Sequence, residues 1–283
     1  MKLKDIDKEE FYRASYGCAG CAAVLMVRLT IKALGKNSVY VVPANCISTV
    51  SCYYPQAPFF VPFTVMAFAA TASALSGISA GFKRRGREDI HVVGLSGDGG
   101  TADIGIQALS GAIDCGNKFI YICYDNEAYM NTGIQRSGLT PYGAATTTTP
   151  SPCFENRPKK DMLRIVAAHD IPYAATACTS YPLDYMEKVV KASQVNGPTY
   201  IHVLAPCPTG WGFPPDETIG IGRMAVESGM WHLTEFENGE FRTTYTPKRQ
   251  RPVSEYFSAQ ARFRHLSPEQ VAAIQKEIDA ARD

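Results

Sequence analysis

Asp98 and Asn126 are of the types that can hold a divalent cation between them. Asp98 lies in Gly97-Asp98-Gly99-Gly100, after the apolar run 90–95. Asn126 lies in Asp125-Asn126-Glu127-Ala128-Tyr129-Met130-Asn131, after the apolar run 119–124. Each run reads as a buried strand, so an acid and an amide fall at the carboxyl ends of two strands, 28 positions apart. About one helix length, 104–115, separates them, which makes a βαβ unit. Mg²⁺ takes hard oxygen donors in near-octahedral array, and one or two protein groups suffice when phosphates supply the rest. The neighbouring glycines let backbone N–H groups approach phosphate oxygens closely. The N-terminal end of the following helix favours an anion at the same place. The bland alternative is an ordinary strand–turn–helix with Asp98 as a helix cap; the correctly spaced Asp-Asn-Glu segment argues against it.

Cysteine is the second chemistry-bearing residue type. The nine are Cys18, Cys21, Cys46, Cys52, Cys115, Cys123, Cys153, Cys178 and Cys207. An odd count argues against a secreted disulfide framework. Cys18-Ala19-Gly20-Cys21 opens an amphipathic helix and could be a redox dithiol, half a zinc site or two cluster ligands. There is no second Cys-x-x-Cys and no histidine pair with finger spacing, which disfavours a zinc ribbon. Cys46 follows the strand-like run 39–42 and Cys207 follows 200–204, so both belong at the carboxyl edge that carries Asp98. Four thiolates converging there can hold a [4Fe–4S] cluster. Cys115 and Cys123 fall in a helical and a strand pattern and read as small buried hydrophobes. Cys153 and Cys178 have no functional reading.

The elements that must position these residues alternate. Helices are expected at 22–34, 104–115, 161–169 and 183–194, with a further small-residue helix ending near 85. Strands are expected at 38–43, 90–95, 118–124, 172–177 and 199–204. Such alternation implies an α/β fold with a mostly parallel, doubly wound sheet. Ligands of such sheets bind outside the carboxyl ends of the strands, where the candidate residues fall. A long aperiodic stretch, 126–160, reads as a functional or disordered loop. After Trp211 the pattern changes. Residues 1–212 are expected to form the cofactor domain. Residues 213–283 form an extension with a helix near 216–229, a hairpin around Asn238-Gly239 and a last helix, expected to pack on partner subunits.

Composition fits a globular enzyme, with 283 residues, 46% hydrophobic and 19% charged, ample for a substantial core. A net charge of +1 gives no electrostatic reason for nucleic acid or acidic membranes as partners. Residues 61–81 carry no charge but are rich in Ala, Ser, Thr and Gly, and read as a closely packed buried helix rather than a membrane span. The opening residues 1–10 are highly charged and do not look like a targeting segment, so a cytoplasmic protein is expected.

A Gly-Asp-Gly followed at this distance by an Asn resembles the thiamine diphosphate motif. The longer text is more specific: Gly97 to Gly105, Tyr124 to Ser137 and Thr140-Pro141-Tyr142-Gly143 resemble the β subunits of the pyruvate:ferredoxin oxidoreductase family and its 2-oxoacid relatives. The resemblance runs from about Tyr16 to about Trp211. It implies the thiamine-diphosphate-binding fold and oxidative decarboxylation of a 2-oxoacid, with the electrons passing singly through a cluster to ferredoxin. Coenzyme A takes the acyl group in pyruvate-type members.

It also implies roles. Asp98, Asn126 and the Ala128 carbonyl would hold Mg²⁺, and Gly97, Gly99 and Gly100 would meet the diphosphate. Cys18, Cys21, Cys46 and Cys207 match the family's cluster ligands, with Cys52 a weaker competitor for the third place. Cys46 would also touch the thiamine, and Asn131 would face the substrate. Arg136 suits an anion or equally a subunit interface.

The chain departs from some relatives at Ala23, where they carry an acid that contacts the cofactor. The carboxylate that activates the aminopyrimidine comes from another subunit in this family. No Cys-x-x-Cys-x-x-Cys run is present. Partners that supply both functions are therefore expected. Gly-Asp-Gly-Gly with Tyr-Met-Asn-Thr-Gly leans toward pyruvate over 2-oxoglutarate; oxalate, branched-chain 2-oxoacids and arylglyoxylates stay open. Readings of another kind are a metal-bearing structural subunit without cofactor, and a non-oxidative decarboxylase, which leaves the four cysteines without a task.

Overall fold

In the computed structural model, residues 10–13, 15–55 and 57–280 are described. The charged opening, 1–9, lies outside them. Eight strands form one sheet: β1 (Ser38–Pro43), β2 (Phe63–Met66), β3 (His91–Gly97), β4 (Phe119–Asp125), β5 (Tyr173–Cys178), β6 (Pro198–Leu204), β7 (Leu233–Glu237) and β8 (Glu240–Tyr245). Their order is β2-β1-β3-β4-β6-β5-β7-β8, parallel through the first six and antiparallel for β7 and β8. The helices are α1 (Ala22–Leu34), α2 (Cys46–Ser51), α3 (Thr71–Arg84), α4 (Asp98–Ala102), α5 (Ile106–Asp114), α6 (Met162–Ala167), α7 (Pro182–Gln194), α8 (Pro208–Trp211), α9 (Thr218–Glu227), α10 (Val253–Ser258) and α11 (Pro268–Ala280).

Every residue of β4 and β6 is buried, which is why both read as unbroken apolar runs. α1 and α7 cover one face, packing Met26, Ile31, Tyr185 and Val189 against Tyr40, Val42 and Ile122. Thr30 Oγ1 and Tyr185 OH, 2.6 Å apart, tie these two helices. α3, α5 and α6 cover the other face, with Leu75, Leu109 and Met162 against Tyr121 and Tyr200. Each such buried side chain contributes about 1.5–3 kcal/mol. A third core gathers Trp211, Ile221, Trp231, Phe257 and Phe263 after the last parallel strand. The expected hairpin at Asn238-Gly239 is β7–β8, and it extends the sheet by pairing with β5.

Two expectations are corrected, at 61–81 and at Cys115. The helix expected at 104–115 is α5, and a separate short helix, α4, precedes it; the two are parted at Asp103 (φ −105°, ψ −94°). Asp103 turns away from the helix to accept Tyr129 OH (2.8 Å), Gly138 N–H (2.9 Å) and Lys160 Nζ (2.9 Å). Residues 61–81 are not one buried helix. They contain β2, and the Ser73, Gly77, Ala80 and Gly81 face of α3 is exposed in this chain. Cys115 is exposed, because α5 ends one residue earlier and Gly116 (φ +68°) turns the chain outward. The stretch 126–160 is a loop, as expected, and it is pinned: Thr147, Glu155 and Lys160 donate backbone N–H groups to Ile134, Ala144 and Gly138.

The break before α5 requires glycine. A Cβ on Gly105 would lie 1.9 Å from the Gly100 carbonyl oxygen, whereas one on Gly111 meets nothing within 4 Å. Gly105→Ala is expected to cost at least about 2 kcal/mol. Gly111→Ala should be neutral or stabilising. Thermal denaturation midpoints of the two variants check this.

Candidate active site

The chain leaves β1 toward β2 on one side and returns as β3 on the other. That reversal opens a crevice at their carboxyl ends, and the site is built there. Asn45, just after β1, caps α2 reciprocally with Ser48: its side chain accepts Ser48 N–H (3.1 Å), and Ser48 Oγ accepts Asn45 N–H (2.9 Å). Asn45 Nδ2 also donates to the Leu95 carbonyl of β3 (2.8 Å). Cys46 is thereby fixed at the start of α2, and its N–H donates to Tyr124 OH (2.9 Å).

Asp98 opens α4, is 3% exposed, and accepts the Ser137 hydroxyl at 2.5 Å. Burial and the charge of nearby Asp125 push its carboxyl well above the usual carboxylate range. A cation at the carboxylate would reverse that shift. Asn126 directs its amide nitrogen toward Cys46 Sγ (3.8 Å). Its amide oxygen lies 3.3 Å from Asp98 Oδ1 and 3.0 Å from the Ala128 carbonyl oxygen. Three acceptor oxygens thus crowd together. Turning the amide over, so that nitrogen donates to both, relieves this; so does a cation among the three. In an octahedral Mg²⁺ shell with bonds of about 2.1 Å, adjacent oxygens lie about 3.0 Å apart, so the donor set fits Mg²⁺.

A cavity of about 250 Å³ opens in front of these oxygens, lined by Gly97 to Gly100, Cys46, Phe68 and the 128–132 segment. Gly99 and Gly100 sit in the first turn of α4, where N–H groups lack helical partners. A Cβ on Gly99 would come within 2.2 Å of the Tyr129 ring. The backbone here is bare enough to meet a diphosphate. Among the described residues, Asp98 is the single carboxylate lining the cavity.

A second cavity, about 140 Å³, is lined by Cys18, Cys21, Cys46 and Cys207 together with Ala23. It shares Cys46, Asn126, Met130 and Asn131 with the first. Cys21 N–H donates to the Cys18 carbonyl (3.1 Å) across the turn made by Gly20 (φ +70°). Cys207 caps α8, its sulfur accepting Gly210 N–H (3.3 Å).

Burial pushes the Cys46 thiol up to about 12 and that of Cys207 up to about 11, in both cases reinforced by neighbouring cysteines; burial also raises Cys21. A redox dithiol needs the opposite shift. Iron, by binding thiolates, would overcome the penalty. Among the described residues no three His, Cys, Asp or Glu side chains meet closely enough to hold one metal ion. The four thiols ring a cavity instead, which suits a multi-iron cluster better than a single zinc. Cys52 ends α2, is exposed, and does not line this cavity. Cys153 is exposed; Cys178 is buried, its sulfur 3.7 Å from the Gly222 carbonyl.

Asn131 is exposed at the rim shared by both cavities. Ala23 lines the cysteine cavity and not the cofactor-sized one. Arg136 is paired through Nε with buried Glu155 (2.6 Å). Four residues of the site carry no motif. Trp211 Nε1–H donates to the Asn126 carbonyl (2.7 Å), and His202 and Lys159 reach Asp125 (2.8 and 2.6 Å). Arg262 reaches Glu127 (2.6 Å). The faint signal for them was charge or an indole in otherwise apolar or irregular segments.

Residues 46–203 match the family described as thiamine pyrophosphate enzyme, C-terminal TPP binding domain. Cys18, Cys21 and Cys207 lie outside that match. The chain is 54% identical, over 97% of both chains, to pyruvate synthase subunit PorB of Methanothermobacter thermautotrophicus. It is 46% identical to ketoisovalerate oxidoreductase subunit VorB of Pyrococcus horikoshii, over 95% of this chain and 90% of that one. A chain of 2-oxoglutarate:ferredoxin oxidoreductase from Magnetococcus marinus superposes with a TM-score of 0.60 at 22% identity, over 74% of this chain and 69% of that one, a likeness of fold. With its parallel sheet, its Gly-Asp-Gly turn at the crevice and relatives alike over nearly their whole length, the chain belongs to the thiamine pyrophosphate enzyme family, among the β subunits of the 2-oxoacid:ferredoxin oxidoreductases.

Proposed function

We propose that this chain carries thiamine diphosphate, Mg²⁺ and a [4Fe–4S] cluster in a cytoplasmic enzyme complex that oxidatively decarboxylates pyruvate and passes the electrons to ferredoxin. The observation that carries the reading is the shared wall: Cys46, Asn126, Met130 and Asn131 line both the cofactor-sized cavity and the cysteine cavity. Thiamine diphosphate, when bound, supplies the carbanion that adds to a 2-oxoacid ketone and holds the electrons left by CO₂. Asp98, Asn126 and the Ala128 carbonyl hold the cation, and Gly97, Gly99 and Gly100 admit the diphosphate. Cys18, Cys21, Cys46 and Cys207 hold the cluster one wall away, and Asn131 at the rim contacts substrate.

Activation of the aminopyrimidine requires a carboxylate, and among the described residues the only one lining the cavity, Asp98, is committed to the cation. A second subunit supplies it, and a third with further clusters carries electrons onward. Among the described residues no helix is long and apolar enough to cross a membrane. Pyruvate is favoured by the PorB relatives; the VorB relatives favour a branched-chain 2-oxoacid as the second reading.

The test is turnover of the purified complex with coenzyme A and a viologen acceptor, across pyruvate, 2-ketoisovalerate and 2-oxoglutarate. Pyruvate is expected to give the highest kcat/KM, and the isolated chain no turnover. A preference for 2-ketoisovalerate would reassign the substrate. Turnover by the isolated chain would remove the need for partners. One zinc per chain and no thiamine would favour the structural reading.

A further inference from the structure

The two oxygens that Asn126 and Ala128 bring to the cation come from a turn whose other members, Asp125 and Glu127, carry buried charges. Asp125 is 0% exposed and Glu127 5%. Asp125 Oδ1 accepts Glu127 N–H (3.0 Å), and its Oδ2 meets Lys159 Nζ (2.6 Å) and His202 Nε2 (2.8 Å). Glu127 stands at φ +66°, a left-handed conformation that costs a non-glycine residue about 1–3 kcal/mol. That reversal sets the Asn126 amide oxygen 3.0 Å from the Ala128 carbonyl oxygen.

The Glu127 carboxylate lies between two cations. Lys159 Nζ is 2.7 Å from Oε1. Arg262 Nη1 is 2.6 Å from Oε2, a charge contact rather than an aligned hydrogen bond. Arg262 comes from the extension, far along the chain, yet its side chain is only 4% exposed. Its guanidinium lies 3.7 Å over the Trp211 ring, the same indole whose N–H holds the Asn126 carbonyl. Gln260 Oε1 (2.9 Å) and Tyr256 OH (3.2 Å) fix its orientation. One guanidinium thus braces both sides of Asn126: the main chain through Trp211, and the next residue through Glu127.

We propose that Arg262 is a positioning residue for the cation, acting through Glu127 and Trp211, and that the C-terminal extension is thereby part of the cofactor site. The inference rests on Asp98, Asn126 and Ala128 being the cation's ligands. Removing a group that orients metal ligands weakens the metal by about ten- to a hundredfold.

The experiment titrates Mg²⁺ into the purified complex and follows retention of thiamine diphosphate, with iron content and melting midpoint as parallel readouts. Arg262→Met is expected to raise the Mg²⁺ Kd by about tenfold or more, with iron and melting unchanged. Arg262→Lys, which keeps the charge but loses the stacking, should fall between. Glu127→Gln should also raise the Kd, and the double variant should be no worse than the weaker single one. A Kd for Arg262→Met within about twofold of the parent, or additive singles, overturns the proposal. So does a Kd that rises only together with loss of iron and melting temperature. If Arg262→Met does not assemble, Glu127→Gln and Arg262→Lys decide, and unchanged Kd values in both overturn it. A parent complex that binds thiamine diphosphate without Mg²⁺ overturns the ligand assignment as well. The readout is binding, so a complex inactive on pyruvate still reports.

Discussion

Asp98→Ala is expected to weaken Mg²⁺-dependent binding of thiamine diphosphate by more than about a hundredfold, the loss of a ligand exceeding that of an orienting group. The reason is local. Among the described residues Asp98 is the only carboxylate lining the cofactor cavity, and burial beside Asp125 makes its charge costly without a cation. Asn126 and Ala128 contribute neutral oxygens, which cannot replace that charge for a hard divalent ion. The Ser137 hydroxyl, 2.5 Å from Asp98, loses its acceptor but does not line the cofactor cavity. The cysteine cavity has none of its walls from Asp98, so iron content should stay at the parent value. Equilibrium dialysis of the complex measures the effect. Binding within about threefold of the parent would remove Asp98 from the cation site, since even orienting groups cost more than that.

Cys207→Ser and Cys46→Ser form the second large prediction. Each should lose cluster iron, from about four per chain, and lower 2-oxoacid-dependent viologen reduction to background. Serine keeps both local structures. At Cys207 its hydroxyl can still cap α8 by accepting Gly210 N–H, as the sulfur does at 3.3 Å. At Cys46 the backbone N–H bond to Tyr124 OH, 2.9 Å, is untouched. What disappears is the soft thiolate, so thiamine diphosphate should remain bound after Cys207→Ser. Cys52→Ser is the control: Cys52 is exposed and lines neither cavity, and its replacement should leave iron and turnover unchanged. Iron loss on Cys52→Ser with retention on Cys46→Ser would exchange their roles.

The central strands were legible because both their faces are covered, so β4 and β6 carry no polar alternation to confuse the reading. Asp98 and Asn126 were legible because strand ends and glycines mark them in the chain itself. Elements held by tertiary contacts were not. β2 is four residues with little of it buried, and its place is set by pairing with β1. α2 had only its Asn45–Ser48 capping box to announce it. The break between α4 and α5 depends on Asp103 finding Tyr129, Gly138 and Lys160, all distant in sequence. Arg262 was invisible for the same reason. Its partner Glu127 lies in the motif, but nothing near either residue points to the other, and only the folding of the extension onto Trp211 joins them.

Electrons released at the thiamine are expected to pass to a cluster held by this chain. The most direct measurement is the visible absorption and electron paramagnetic resonance of the anaerobic complex on adding pyruvate without an external acceptor. Bleaching and a reduced-cluster signal are expected; they should require thiamine diphosphate and Mg²⁺ and vanish in Cys207→Ser. A complex replete in iron and thiamine diphosphate whose spectrum does not change with pyruvate or any other 2-oxoacid would contradict this expectation.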